Sequence, residues 1–126
     1  MTQLLPENMT VFAFDFSGSG QSDGDYISLG WYEREDVLTV TDYLWNSGTV
    51  STIALWGRSM GAATTLLHAD WDHSIAGIVV DSAFVSLKQL AWELAKKHTK
   101  IPNFLLSAGI KIVNSSVKSR AHFDLN

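Results

Sequence analysis

Hydrophobic positions fall into short dense runs separated by polar, glycine-bearing stretches. Met9 to Phe16 (MTVFAFDF) is β-branched and aromatic with few charges, which predicts a buried strand. It runs into Ser17-Gly18-Ser19-Gly20-Gln21-Ser22-Asp23-Gly24, a turn and loop. From about Trp31 to Trp45, residues Val37, Val40, Tyr43 and Leu44 form a helical stripe. Glu33, Glu35 and Asp36 sit in its first turns, where the helix dipole favours acids, and Asn46-Ser47-Gly48 stops it. Thr49 to Trp56 predicts a second buried strand, followed by a helix to about Ala69. Ile75 to Val80 predicts a third strand, ending at Asp81-Ser82. Val85 to His98 and Asn103 to Asn114 read as helices separated by Ile101-Pro102, and the tail from Ser115 to Asn126 carries no clear element.

Strand, helix, strand, helix, strand is the grammar of an α/β domain with a parallel sheet. Functional loops of such sheets lie at the carboxyl ends of the strands. Asp15, Ser59 and Asp81 all fall there. No repeat or linker divides the chain, so residues 1–126 read as one domain.

Composition narrows the function classes. The net charge of −4 is mild, and Lys96, Lys97 and Lys100 are the nearest approach to a basic cluster, too few for a nucleic-acid footprint. There are no cysteines, which removes disulfides, thiolate metal sites and a thiol nucleophile. No apolar run approaches the roughly 18 residues of a membrane span, and no signal peptide is visible, so the expected compartment is the cytoplasm.

The chemistry concentrates at Gly57-Arg58-Ser59-Met60-Gly61, a G-x-S-x-G pentapeptide between the Thr52–Trp56 run and the small-residue helix from Ala62 to Ala69. The bare pattern occurs by chance in roughly 4% of chains this long, and its strand-to-helix context makes chance a poorer account. A serine on such a turn is held in a strained backbone with Oγ raised above the sheet edge. Glycines at both flanks are expected because a Cβ there would collide across the turn. Ser59 is therefore the candidate nucleophile, and the Met60 N–H a candidate oxyanion donor supplied by the backbone.

With these residues placed, the chain resembles the middle of an α/β-hydrolase. Asp15-Phe16-Ser17-Gly18-Ser19-Gly20-Gln21-Ser22 is similar to the D-x-x-G-x-G-x-S loop after the fourth strand of that family, Gly57 to Gly61 to its nucleophile elbow, and Val80-Asp81-Ser82-Ala83-Phe84 to the end of its sixth strand. The most similar branch is the intracellular esterase, thioesterase and serine-aminopeptidase-like group. The resemblance implies a partial α/β-hydrolase fold, a mostly parallel sheet of about three strands flanked by helices. It also implies an acyl hydrolase acting on an ester, thioester or amide, with a small acyl substrate and no metal or organic cofactor. Two family features have no counterpart in the chain: the His-Gly oxyanion loop after the third strand, and the acid and histidine after the seventh and eighth. The third strand also lies between the fourth and fifth in that sheet. The Val11 and Ile53 runs are therefore expected to re-pair, swap or self-associate through exposed edges. The alternative reading is a catalytically inactive fragment or truncated product, an oligomerising or interaction module at most.

Chain order allows Asp81 as the triad acid, with His98 or His122 as base; Asp81 could equally be a turn or cap residue. His68-Ala69-Asp70-Trp71-Asp72-His73 invites a metal reading, but histidines five apart do not share a helix face, and a helix end with a surface turn explains them better. Gly18-Ser19-Gly20 lacks the third glycine and ribose-binding acid of a dinucleotide site; it reads as a turn braced by Asp15. Arg58 suits a salt bridge with Glu33 or Asp36, and Trp31, Trp45, Trp56, Trp71 and Trp92 suit core and helix-face packing.

Overall fold

A computed structural model describes residues 9–98 and 103–121. Its elements follow in the order α1 (Glu33–Asn46), β1 (Ala54–Arg58), α2 (Met60–Ala69), β2 (Gly77–Asp81), α3 (Leu87–His98) and α4 (Asn103–Ala121). β1 and β2 pair in parallel from Ala54 opposite Gly77 to Arg58 opposite Asp81. The parallel pairing needs a crossover, and α2 supplies it. This helix packs on both strands and on α1. Its close approach follows from composition, since Ala62, Ala63, Thr64 and Thr65 are all buried and small. Val37 and Thr41 of α1 and Ile53 before β1 complete the core.

The partial α/β architecture is as expected, but the sheet has two strands among the described residues, not three. Met9 to Phe16 belongs to no strand. Its aromatic content survives as a file of rings, with Phe12 and Phe14 centroids 6.3 Å apart and Phe14 and Phe16 5.3 Å apart. What is missing is a neighbouring backbone to pair with, without which a β-prone segment forms no ladder. For the same reason the strands are not buried on both faces: every residue of β2 is exposed, as is Trp56 on β1. β1 also begins five residues later than the hydrophobic run, at Ala54, although Ile53 still accepts a hydrogen bond from the Ala76 N–H at 2.9 Å. At the other end, α4 runs on to Ala121 where no element was expected. No glycine or proline follows Asn114 to stop it, and Ile110 and Val117 continue its apolar spacing.

One buried carboxylate organises the entry to α1. Glu33 accepts hydrogen bonds from the Ser28 N–H (2.7 Å), the Ser28 hydroxyl (2.5 Å) and the Gly30 N–H (2.7 Å), while Ser28 Oγ accepts from the Tyr32 N–H at 2.7 Å. Burial pushes the Glu33 carboxyl up, but these hydrogen bonds, led by the Ser28 hydroxyl, outweigh it and hold the group below its ordinary value. The first-turn acid thus does more than complement the dipole.

The His68 to His73 segment is also more internal than a surface turn. The His68 ring is fully buried, with Nδ1 3.3 Å from the Arg34 carbonyl and Nε2 3.1 Å from Asp72 Oδ2. Ser74 first, and then His68, hold the Asp72 carboxyl below its usual range. Trp31 and Trp71 flank the Arg34 guanidinium at 4.1 and 4.5 Å rather than filling the core. No group of three metal-ligating side chains is assembled among the described residues.

Because the folded-state pKa of Glu33 lies below its unfolded value, its contribution is complete above the ordinary carboxylate range. That contribution disappears as pH falls through the lowered value. Glu33→Gln should therefore flatten the acid limb of a stability–pH curve measured by urea denaturation. Glu33→Ala, which strands several buried donors, should cost about 2–4 kcal/mol near neutral pH.

Candidate functional site

The turn between β1 and α2 is tight because Gly57 lets it be. A Cβ on Gly57 would overlap the carbonyl of Gly61 and approach the Ala62 nitrogen to 2.6 Å. Only hydrogen fits there, so the helix can begin at Met60, two residues after the strand ends at Arg58. The expectation of a matching need at Gly61 is not met: a Cβ there would find open space. The clearance is one-sided, because the helix backbone leans on Gly57 and nothing described leans on Gly61.

Ser59 sits at the apex with φ 53° and ψ −114°, a conformation that side chains of L-residues rarely adopt. Two backbone hydrogen bonds hold it there. Its N–H donates to the Asp81 carbonyl at 2.9 Å, and its carbonyl accepts from the Ala63 N–H at 3.1 Å. Its hydroxyl does not cap α2, and the residue is exposed. Met60 follows as the first residue of α2, where the opening N–H groups have no partner within the helix and carry the positive end of its dipole.

β2 ends level with this turn. Arg58 and Asp81 are register partners, so their side chains stand side by side, Arg58 Nε lying 3.3 Å from Asp81 Oδ2. The acid that meets Arg58 is therefore its cross-strand neighbour and not Glu33 or Asp36. Ser82 donates its hydroxyl to Asp81 Oδ1 at 2.8 Å and itself has φ 58°. Two adjacent strands thus end at one level, each followed by a serine in left-handed backbone.

The loop after Phe16 is braced differently from expectation. Asp36 of α1 takes the Ser17 N–H and the Ser17 hydroxyl, both at 2.8 Å. Asp15 contributes its carbonyl, which accepts from the Ser22 hydroxyl at 3.2 Å, while its carboxylate lies so close to Gly20 that a Cβ there would overlap it. Glu33 and Asp36 were placed by sequence for their charge at a helix start. Only the spacing Ser28 to Glu33 could have hinted that they tie the preceding loop to α1.

Ser59, Met60 and Asp81 are thus brought together at one sheet edge. Asp15 is held apart in the neighbouring loop. His98 ends α3 but its side chain lies outside the described residues, as does all of His122. Relief of the strain at Ser59 should make Ser59→Gly about 1–3 kcal/mol more stable in urea denaturation, while Ser59→Ala is not. Gly57→Ala should instead destabilise the chain, because its Cβ would overlap the Gly61 carbonyl.

A model of the serine aminopeptidase S33 family matches residues 1–122. The chain is 34% identical over 111 residues to uncharacterized protein YqkD of Bacillus subtilis (strain 168), a stretch covering 84% of this chain and 36% of that protein. The chain therefore spans about a third of the length of this curated relative. No solved structure gives a significant match. A family match over nearly the whole length leads to one conclusion: the chain belongs to the serine aminopeptidase S33 family of the α/β-hydrolase superfamily.

Proposed function

We propose that the chain carries the nucleophile half of a serine acyl hydrolase acting on an ester, thioester or amide. The observation that supports this most is the backbone of Ser59. An exposed serine held in strained backbone without capping its helix has the geometry in which strain is commonly kept for function. In this reading Ser59 Oγ attacks the substrate carbonyl carbon as a general base removes its proton. The resulting oxyanion receives the Met60 N–H at the positive end of α2. Collapse expels the alcohol, thiol or amine with a proton from the base, and water then hydrolyses the acyl-enzyme by the same route. No step calls for a metal or organic cofactor.

Asp81 is the candidate acid. It lies one strand over at the same edge, and its carbonyl already holds the Ser59 N–H. Its carboxylate is engaged by Arg58 and Ser82, so orienting an imidazole would require it to exchange one of them. The cytoplasmic setting expected from sequence belongs to the same proposal; separately, among the described residues no helix is long and apolar enough to cross a membrane.

A second reading is favoured by the uncovered sheet. With Trp56 and the whole of β2 exposed, the chain could act as an interaction module that self-associates through strand edges. Fluorophosphonate labelling separates the two. Ser59-dependent labelling, abolished in Ser59→Ala, supports the hydrolase. A folded sample that resists labelling and forms concentration-dependent oligomers in analytical ultracentrifugation supports the module. Within the hydrolase reading, Asp81→Asn should slow labelling roughly 10²- to 10⁴-fold, and a change below about tenfold removes Asp81 from the acid's role.

A further inference from the structure

The Asp81 carboxylate is held by two partners of unequal grip. Ser82 donates its hydroxyl to Oδ1 at 2.8 Å, and Ser82 is itself fixed in left-handed backbone at φ 58°. Arg58 reaches Oδ2 through Nε alone, at 3.3 Å, with the two side chains 80% and 53% exposed. Among the described residues no other oxygen meets the guanidinium, so the N–H donors of both Nη atoms are unclaimed.

An exposed pair with one contact contributes little to stability, because solvent screens it and two long side chains lose freedom. Its position is more telling than its strength. Arg58 immediately precedes Ser59, and Asp81, whose carboxylate it touches, receives the Ser59 N–H on its own carbonyl at 2.9 Å. The guanidinium is thus tethered beside the serine both along the chain and across the strand pair. The N-terminus of α2, opening at Met60, adds its positive end to the same edge.

We propose that Arg58 sets the substrate class by binding, through its Nη edge, a carboxylate on the acyl part of the substrate. This rests on the acyl-hydrolase reading of Ser59 and narrows it. A planar guanidinium with a free edge takes a carboxylate through two parallel N–H···O bonds, a fork that an ammonium does not reproduce. The acyl side is singled out because it stays bonded to Ser59 until the second step, whereas the leaving group departs after the first. A monoanion suits the edge better than a phosphate dianion, since Asp81 already stands beside the same guanidinium and repels added negative charge. Binding also changes the state of Asp81. A guanidinium shared with the substrate loosens its Nε contact, while Ser82 keeps Oδ1. Oδ2 is then the oxygen released to receive an imidazole.

Two measurements test this, one of them without any reaction at Ser59. In heteronuclear NMR of the Ser59→Ala chain, monomethyl succinate should shift the Arg58 Nε–H resonance saturably and less so at high salt. Dimethyl succinate, which is neutral, should leave that resonance in place. In the wild-type chain, monomethyl succinate should protect Ser59 from fluorophosphonate labelling at a concentration roughly tenfold below that needed of uncharged methyl butyrate. Arg58→Gln should bring the two concentrations together, and Arg58→Lys, which keeps the charge without the fork, should retain part of the difference. No shift with monomethyl succinate, an equal shift with dimethyl succinate, tighter binding of inorganic phosphate, or a difference that survives Arg58→Gln would each overturn the proposal. A folded wild-type chain that resists labelling overturns the hydrolase reading instead, and the NMR titration then decides the carboxylate site by itself.

Discussion

The site depends on the missing side chain of Gly57. Because the Gly61 carbonyl occupies the space where a Cβ would stand, β1 can hand over to α2 without an intervening loop. That short handover forces the left-handed backbone at Ser59, aims the first N–H groups of α2 at the sheet edge, and lets the Ser59 N–H reach the Asp81 carbonyl. It also sets the angle at which α2 lies across both strands, where Ala62, Ala63, Thr64 and Thr65 are buried. A longer turn would satisfy the backbone equally well. It would not pin a serine, a helix N-terminus and the end of the adjacent strand within one residue's reach of each other.

Local features were readable from sequence where a single residue type has one physical use. A glycine demanded by close approach, a serine at a strand-to-helix junction and acids at a helix start each found their place within a residue or two. Features that depend on a partner elsewhere were not readable. Met9 to Phe16 has every strand preference, but a strand is a relation between two backbones, and none pairs with it among the described residues. Arg58 had several plausible acids nearby; only the parallel register, which brings it opposite Asp81, decides among them. The role of Asp36 in holding Ser17 requires knowing that the loop folds back on α1 across nineteen positions of sequence. His68 read as part of a helix end and surface turn. It is buried because α1 crosses over it and offers the Arg34 carbonyl.

The two polar networks divide the labour of positioning. Glu33 with Ser28, Gly30 and Tyr32, and Asp36 with Ser17, anchor the long loop that precedes α1. His68, Arg34 and Asp72 tie the far end of α2 back to α1. Both networks converge on α1, which therefore acts as the strut between the loop and the elbow helix. Partnered carboxylates inside such networks stabilise mainly by what their loss would leave unsatisfied. The exposed Arg58–Asp81 pair differs: solvent screens it, so its contribution is geometric more than energetic.

The same geometry limits where a general base for Ser59 can come from. The chain has four histidines. His68 lies nine residues farther along α2, which places it about 13 Å down the helix from Ser59, and both of its ring nitrogens already face oxygen acceptors. His73 lies in the turn that leads into β2, at the end of the sheet opposite the strand termini where Ser59 and Asp81 meet. A parallel pair separates these ends by the full length of the strands, so neither histidine can share a proton with Ser59 Oγ. Of the four histidines this removes His68 and His73 as partners of Ser59 Oγ. A base must approach from the side of the sheet edge that Ser59 faces. Asp81 waits on that side, and its Arg58 partner is exposed enough to move aside.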